Sequence, residues 1–207
     1  MCGRFVLVSS WEKIAGEFDL SETDNDFSPA GDIHPGQDSA CIIRDGAINK
    51  AVNLHWGFVP RWLAQKPGSK LLINARSETL AAKPIFCDAF QKRRCLIVAD
   101  GFYEWTKEKK PLYFYLKNGQ PLGLAGLYEP ATAQGWPKLS FVIITTSPNK
   151  LIAPLHDRMP VIIPAGKRSL WLDQSFYDKD RLQSLLVSYP EEEMAMRKAE
   201  FISRHPS

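Results

Sequence analysis

Cys2 lies directly after the first methionine, and removal of Met1 would leave it with an α-amine and a thiol on adjacent carbons. In unperturbed peptides the amine titrates at about 8 and the thiol at about 8.5, so near neutral pH a usable fraction of each is nucleophilic. An amine condenses with an aldehyde to an imine, and a neighbouring thiol closes that imine into a thiazolidine. Only an N-terminal cysteine can do both.

Other candidate groups sit in loops that follow apolar runs. Asn74 and Arg76 follow Leu71-Leu72-Ile73, Glu104 lies between Tyr103 and Trp105, and His156 lies between Leu155 and Asp157. Loops held by a rigid scaffold are common places for catalytic groups. Taken singly, each has an ordinary explanation. Glu104 can be a rim carboxylate paired with Lys107 or Lys109, His156 a structural histidine, and Asn74 a turn or cap residue. Trp56 and Trp62 can be core aromatics, and Arg4, Arg76 and Arg158 solvated charges. Taken together they supply what imine chemistry on an anionic substrate needs: a nucleophile, an acid/base pair, an amide donor and cations. Burial between aromatics would raise the Glu104 pKa and suit it to proton transfer.

The elements that must position these groups read as a single α+β domain over residues 1–207. Strands are expected at 5–8, 40–44, 48–56, 95–99, 112–116, 122–128, 139–146, 161–163 and 201–204. Asp45-Gly46 and Asn118-Gly119 read as hairpin turns joining the strands on either side. Ile48, Val52, Leu54 and Trp56 share a parity and predict one buried face. Ser9 and Glu12 have capping-box spacing ahead of a helix at 10–18. Ser77 is expected to cap a short helix, further helices are expected at 166–172 and 179–187, and residues 21–37 read as loop.

Of 207 residues, 44% are hydrophobic and 24% charged, ordinary for a soluble protein. A net charge of +3 is too small to show nucleic-acid binding by itself, yet it allows a local basic patch. No signal peptide is visible, and no apolar run approaches the roughly 18 residues of a membrane span. The four cysteines form no C-x-x-C pair and no metal spacing with the histidines, so no metal or cofactor is expected. They read as reduced thiols of a cytoplasmic monomer, with Cys41 and Cys95 in the core.

Four blocks occur in order along nearly the whole chain. They are Met1-Cys2-Gly3-Arg4, Asn74-Ala75-Arg76-Ser77-Glu78-Thr79, Asp100-Gly101-Phe102-Tyr103-Glu104-Trp105 and His156-Asp157-Arg158-Met159-Pro160. Together with Leu54-His55-Trp56-Gly57-Phe58-Val59-Pro60 they resemble the SRAP family, the SOS-response-associated peptidases understood as abasic-site processing proteins. The resemblance implies a barrel-like antiparallel β core with peripheral helices and a groove for single-stranded DNA. It implies that Cys2 crosslinks to the aldehyde of an abasic site, with Asn74, Glu104 and His156 in the other catalytic places. It places Arg4, Arg76, Thr145 and Arg158 at phosphates and Trp56 and Trp62 by the DNA. The chain departs from the family at Asp32-Ile33-His34-Pro35, where Asn-x-Ala-Pro is usual.

Two other readings stay open from the residues. A cysteine exposed by cleavage also serves N-terminal-nucleophile hydrolases, as the family's peptidase label suggests. A non-catalytic reader of modified DNA would need the groove but not Cys2.

Overall fold

Short apolar runs separated by Gly, Pro and Asp become strands, and the few amphipathic stretches become helices. The computed structural model describes residues 2–20, 31–60, 71–131 and 139–199. In chain order the elements are β1 (Phe5–Leu7), α1 (Trp11–Phe18), β2 (Gly31–Ile33), β3 (Asp38–Asp45), β4 (Ile48–Trp56), β5 (Asn74–Arg76), α2 (Cys87–Lys92) and β6 (Arg94–Ala99). There follow β7 (Gly101–Trp105), β8 (Pro111–Leu116), β9 (Leu122–Glu129), β10 (Ser140–Thr146), β11 (Met159–Pro160), α3 (Ala165–Leu172), α4 (Lys179–Gln183) and β12 (Met194–Lys198).

Two sheets result. One runs β12-β8-β7-β1-β2, and the other runs β11-β10-β4-β3-β6-β9 with β5 also on β10. In the second sheet β9 pairs back onto β10, so the path β10-β4-β3-β6-β9 closes on itself. Every residue of β6 and β10 is buried, as expected for strands with neighbours on both sides inside such a ring. Cys41 and Cys95 lie in this core, and all four cysteines are free thiols. Among the described residues no helix is long and apolar enough to cross a membrane.

The sequence-based expectations hold for most strands and fail in instructive places. Asp45-Gly46 does turn β3 into β4, with Asp45 opposite Ile48 and Gly46 at φ 59°. Leu54 and Trp56 are buried as expected, but Ile48 at the hairpin tip is 45% exposed because the strand runs past the core there. Asn118-Gly119 makes a turn, yet not a hairpin: β8 pairs β7 and β12, whereas β9 pairs β6 and β10. The connection ends in Pro121, which has no N–H for a ladder, and the chain crosses there from one sheet to the other. The cap of α1 is Ser10, whose hydroxyl accepts from the Lys13 amide; Ser9 is held by Asp100 instead, so no capping box forms. Ser77 opens a 3-10 turn at Ser77–Thr79 without capping it. Near the expected strand at 161–163, the named strand is β11, with Ile162 bridged singly to Leu124. The α4 helix ends at Gln183, short of the expected 187. Helix α2 and strands β2, β5, β7 and β12 were not expected: Asn74, Arg76 and Glu104, read as loop residues, lie on β5 and β7, and the strand expected at 201–204 lies outside the described residues.

Candidate active site

The site is built where the two sheets meet at the amino-terminal segment. β1 pairs antiparallel with β7, Phe5 opposite Phe102, and the Tyr103 amide donates to the Arg4 carbonyl at 3.0 Å. The same register carries Glu104 back beside the residues just before Arg4. From the other sheet, β10 lies between β5 and β11 at this end: Ile143 is opposite Asn74, Thr145 opposite Arg76, and Thr145 also opposite Pro160. Strand β10 thus gathers the Asn74 and Arg158 blocks, and β7 brings the Glu104 block to Cys2.

The Asp100–Trp105 block divides its labour. Asp100 accepts from the Val8 amide at 2.6 Å, the Ser9 amide at 2.8 Å and the Ser9 hydroxyl, fixing the chain at the end of β1. Gly101 is required by space, since a Cβ there would meet the Phe114 carbonyl oxygen at 2.4 Å. Glu104, 3% exposed, carries the chemical group. Burial raises its carboxyl pKa.

Cys2 is fully buried, and its carbonyl accepts from Asn74 Nδ2 at 2.9 Å, a bond between residues 72 apart in sequence. Asn74 Oδ1 is buried with no hydrogen-bond partner among the described residues. Burial, helped by the Glu104 charge, pushes the Cys2 thiol up to about 12. The thiol is therefore held neutral as the chain stands.

His156 Nδ1 accepts from the Arg158 backbone N–H at 2.9 Å and also lies 2.9 Å from an Asp157 carboxylate oxygen. The amide can only donate, so in the neutral ring Nδ1 is the acceptor and the proton sits on Nε2. Asp157 then contributes charge rather than a hydrogen bond.

The expected phosphate ligands fall into three groups. Arg76 is exposed and available. Arg4 is paired with Asp32 and lies 5.0 Å from the Tyr103 ring centroid. Arg158 is clasped by Glu78 through both oxygens, Nη1 to Oε1 at 2.8 Å and Nη2 to Oε2 at 2.9 Å, and Nη2 also donates to the Thr145 carbonyl. That pairing lowers the Glu78 pKa. Glu78 and Asp32 thus occupy the arginine forks that a phosphate would take, a role for Glu78 that motif position alone did not reveal.

Two expected DNA contacts are corrected. Trp56 is fully buried, stacked on Phe141 and tilted against Phe5, with its indole N–H donating to the Ile73 carbonyl at 2.9 Å. It offers no face to a base; it anchors the backbone just before Asn74. Thr145 is fully buried too, its hydroxyl directed at the Ala75 carbonyl at 3.4 Å, so it supports β5 rather than a phosphate. Trp62 lies outside the described residues. Among those residues no cluster of His, Cys, Asp or Glu could hold a metal ion.

This arrangement has relatives. The chain is 39% identical over 201 residues to abasic site processing protein YoaM of Bacillus subtilis, covering 94% of this chain and 88% of that one. It is equally 39% identical to abasic site processing protein YoqW of the same organism, covering 94% and 90%. A solved structure from Bacteroides thetaiotaomicron superposes with a TM-score of 0.85 at 23% identity, covering 96% and 92% of the two chains, and shares the fold. Residues 1–201 match the description of the SOS response associated peptidase family, and with the four blocks converging on Cys2 the chain belongs to that family, SRAP.

Proposed function

We propose that this protein processes abasic sites in single-stranded DNA by linking the open sugar aldehyde to Cys2 after Met1 is removed. The observation that carries the reading is the convergence on Cys2: Asn74 binds its carbonyl, and the buried Glu104 carboxylate acts on its thiol. Relatives at 39% identity bear the name abasic site processing protein.

The steps follow from the groups. His156 passes its Nε2 proton to the sugar ring oxygen as the bond from that oxygen to C1′ breaks, and takes back the proton of the C1′ hydroxyl as it becomes the aldehyde. The Cys2 amine attacks C1′, and Glu104, its pKa raised by burial, takes the amine's proton. Glu104 returns a proton as the carbinolamine loses water to give the imine. The Cys2 sulfur then adds to the imine carbon while its proton passes to the nitrogen. The net change is aldehyde plus aminothiol to thiazolidine plus one water. Asn74 holds the Cys2 backbone so that the amine is aligned, an effect worth several kcal/mol in comparable intramolecular reactions.

In the chain that still carries Met1, burial and the Glu104 charge both push the Cys2 thiol up, which supports amine-first attack over a thiolate-first hydrolase. Intact-mass analysis after incubation with an abasic oligonucleotide tests the reading. The expected product is a chain starting at Cys2 with the DNA added and one water lost. A covalent product on a chain that still carries Met1 would overturn it.

A further inference from the structure

Behind the candidate site, on the opposite face of the five-stranded sheet, lies a row of cations and aromatic rings that the proposed chemistry does not use. Side chains alternate along a strand, so Tyr103 stands on the face opposite Glu104, and Tyr113 and Tyr115 stand with it on β8. Ring centroids are 5.4 Å apart for Tyr103 and Tyr113 and 5.7 Å apart for Tyr113 and Tyr115, the latter pair stacked at 19°. Arg4 begins the row over Tyr103. Arg197, opposite Tyr113 on β12, ends it, 5.3 Å from the Tyr113 ring and 5.8 Å from Tyr115. There the row opens into a groove of about 300 Å³ lined by both tyrosines, Arg197, Lys13 and Asp100.

The groove's charge is unbalanced. Asp100 directs its oxygens at the Val8 and Ser9 amides and the Ser9 hydroxyl, so its acceptors are taken by the protein. Lys13 makes one bond, to the Gly119 carbonyl at 2.7 Å, and has two further donors. Arg197 has no carboxylate or hydrogen-bond partner among the described residues; it touches only rings. Lys13 and Arg197 outnumber the one carboxylate, Asp100, whose oxygens point at backbone amides and the Ser9 hydroxyl, and two cations with free donors beside two aromatic rings make the combination that holds a nucleotide: phosphate on the cations, base on a ring or on a guanidinium plane. Val8, at the edge of the groove, is four residues from Arg4, about 13 Å along extended chain.

We propose that this groove binds a nucleotide of the same single strand whose abasic site reacts at Cys2, with Arg197 and Lys13 on its phosphate and the base against Tyr115. The inference rests on the proposed function and adds a second DNA contact, on the sheet face away from Glu104. Its consequence is a dependence on strand length: a short lesion-bearing oligonucleotide reaches Cys2 and Arg4 only, whereas a longer one also fills the groove.

The test measures crosslinking against DNA concentration with two probes, an abasic trinucleotide and an abasic oligonucleotide long enough to cross the sheet. With the long probe, Arg197→Glu should raise the half-saturating concentration about tenfold and Lys13→Ala should reduce the salt slope by about 0.7, the share of one phosphate. Tyr115→Ala should raise it at least about fivefold, the loss of one stacked base. With the trinucleotide, all three variants should match the wild type, and maximal rates should be unchanged for both probes. Arg197→Glu and Tyr115→Ala binding the long probe like the wild type would overturn the groove. So would an equal loss with both probes, which would mark a general charge or folding effect. A wild-type protein that crosslinks neither probe would instead overturn the proposed function.

Discussion

Arg94 and Arg158 are both buried arginines, and their donors are directed differently. The five N–H donors of Arg94 all go to backbone carbonyls, those of Trp171, Phe90, Gln91, Asp173 and Phe176. Burial lowers its pKa to about 10 against the opposing charge of Asp173, still far above neutral, so the charge persists with no carboxylate bonded to it. Arg158 gives its fork to the Glu78 carboxylate, adds one carbonyl, and leaves Nε buried without a partner among the described residues. Fixed carbonyls cannot swing away for a ligand. A half-exposed carboxylate on a short turn can, and it matches the geometry of a phosphate. The contrast separates an arginine that staples α2 and α3 to β6 from one that, under the proposed function, exchanges its carboxylate for a phosphate.

The largest expected effects set the two regions against each other. Arg94→Met leaves five carbonyls without donors and should cost about 3–5 kcal/mol, read as a Tm lower by about 10 °C, with crosslinking intact in whatever remains folded. Cys2→Ala should abolish the stable crosslink, because the ring cannot close without sulfur, while leaving Tm within a few degrees. A Cys2→Ala protein that still forms a heat-stable adduct would break the division between scaffold and site.

Glu104→Gln comes next and should move rate and stability in opposite directions. Crosslinking should slow by about 10²–10⁴-fold, and the defect should shrink as pH rises because more amine is already deprotonated. His156→Ala should slow it comparably without that pH trend, since its proton goes to the sugar. The folded pKa of Glu104 is raised, so its contribution to stability is full below the unfolded value near about 4.3 and is lost as pH rises through the folded pKa. Glutamine has no such loss. Thermal melts across pH should show Glu104→Gln more stable than the wild type at neutral pH, with the gap closing in acid. A gap that widens in acid would show that the Glu104 carboxylate is stabilised by its surroundings instead.

How far the sequence went depends on the range of the interaction concerned. The apolar run at Cys95 and the turn at Asp45-Gly46 are local, and both were legible. The site blocks were legible because each is a short string of chemically specific residues. Sheet membership was not: Asn118-Gly119 dictates a turn, but which neighbours β8 and β9 choose depends on residues such as Met194 and Arg94 that lie far away in sequence. Trp56 failed as a DNA contact for a similar reason. An aromatic residue beside an aromatic loop reads alike whether it faces solvent or Phe141. The acidic partners Asp32 and Glu78 were visible as letters, but their pairing with Arg4 and Arg158 is made by strand register.

Asp32 offers a sharper probe of exchange. It is buried on β2, opposite Val6, and pairs with Arg4. Asp32→Asn keeps an acceptor for Arg4 but removes the competing charge. Affinity for single-stranded DNA should rise about fivefold to tenfold at low salt, and the salt slope should steepen by about 0.7 as one more phosphate contact forms. Weaker binding would mean that Asp32 aims Arg4 at the phosphate rather than withholding it.

The smallest effect tests the comparison itself. Glu78 is half exposed, so its pairing with Arg158 is screened and its removal should change DNA affinity by only about two- to fivefold, upward. Glu78→Gln should leave Tm near the wild type, because the Arg158 fork retains the Thr145 carbonyl and gains water. The gain in affinity should vanish in an Arg158→Met background, since the two changes act on one contact and should couple in a double-mutant cycle. Arg76→Ala, by contrast, should flatten the salt slope equally with or without Glu78, because Arg76 is already exposed. If Glu78→Gln instead lowers Tm as Arg94→Met does and binding is unchanged, then Arg158 is a second staple of the fold, and the exchange of carboxylate for phosphate does not occur there.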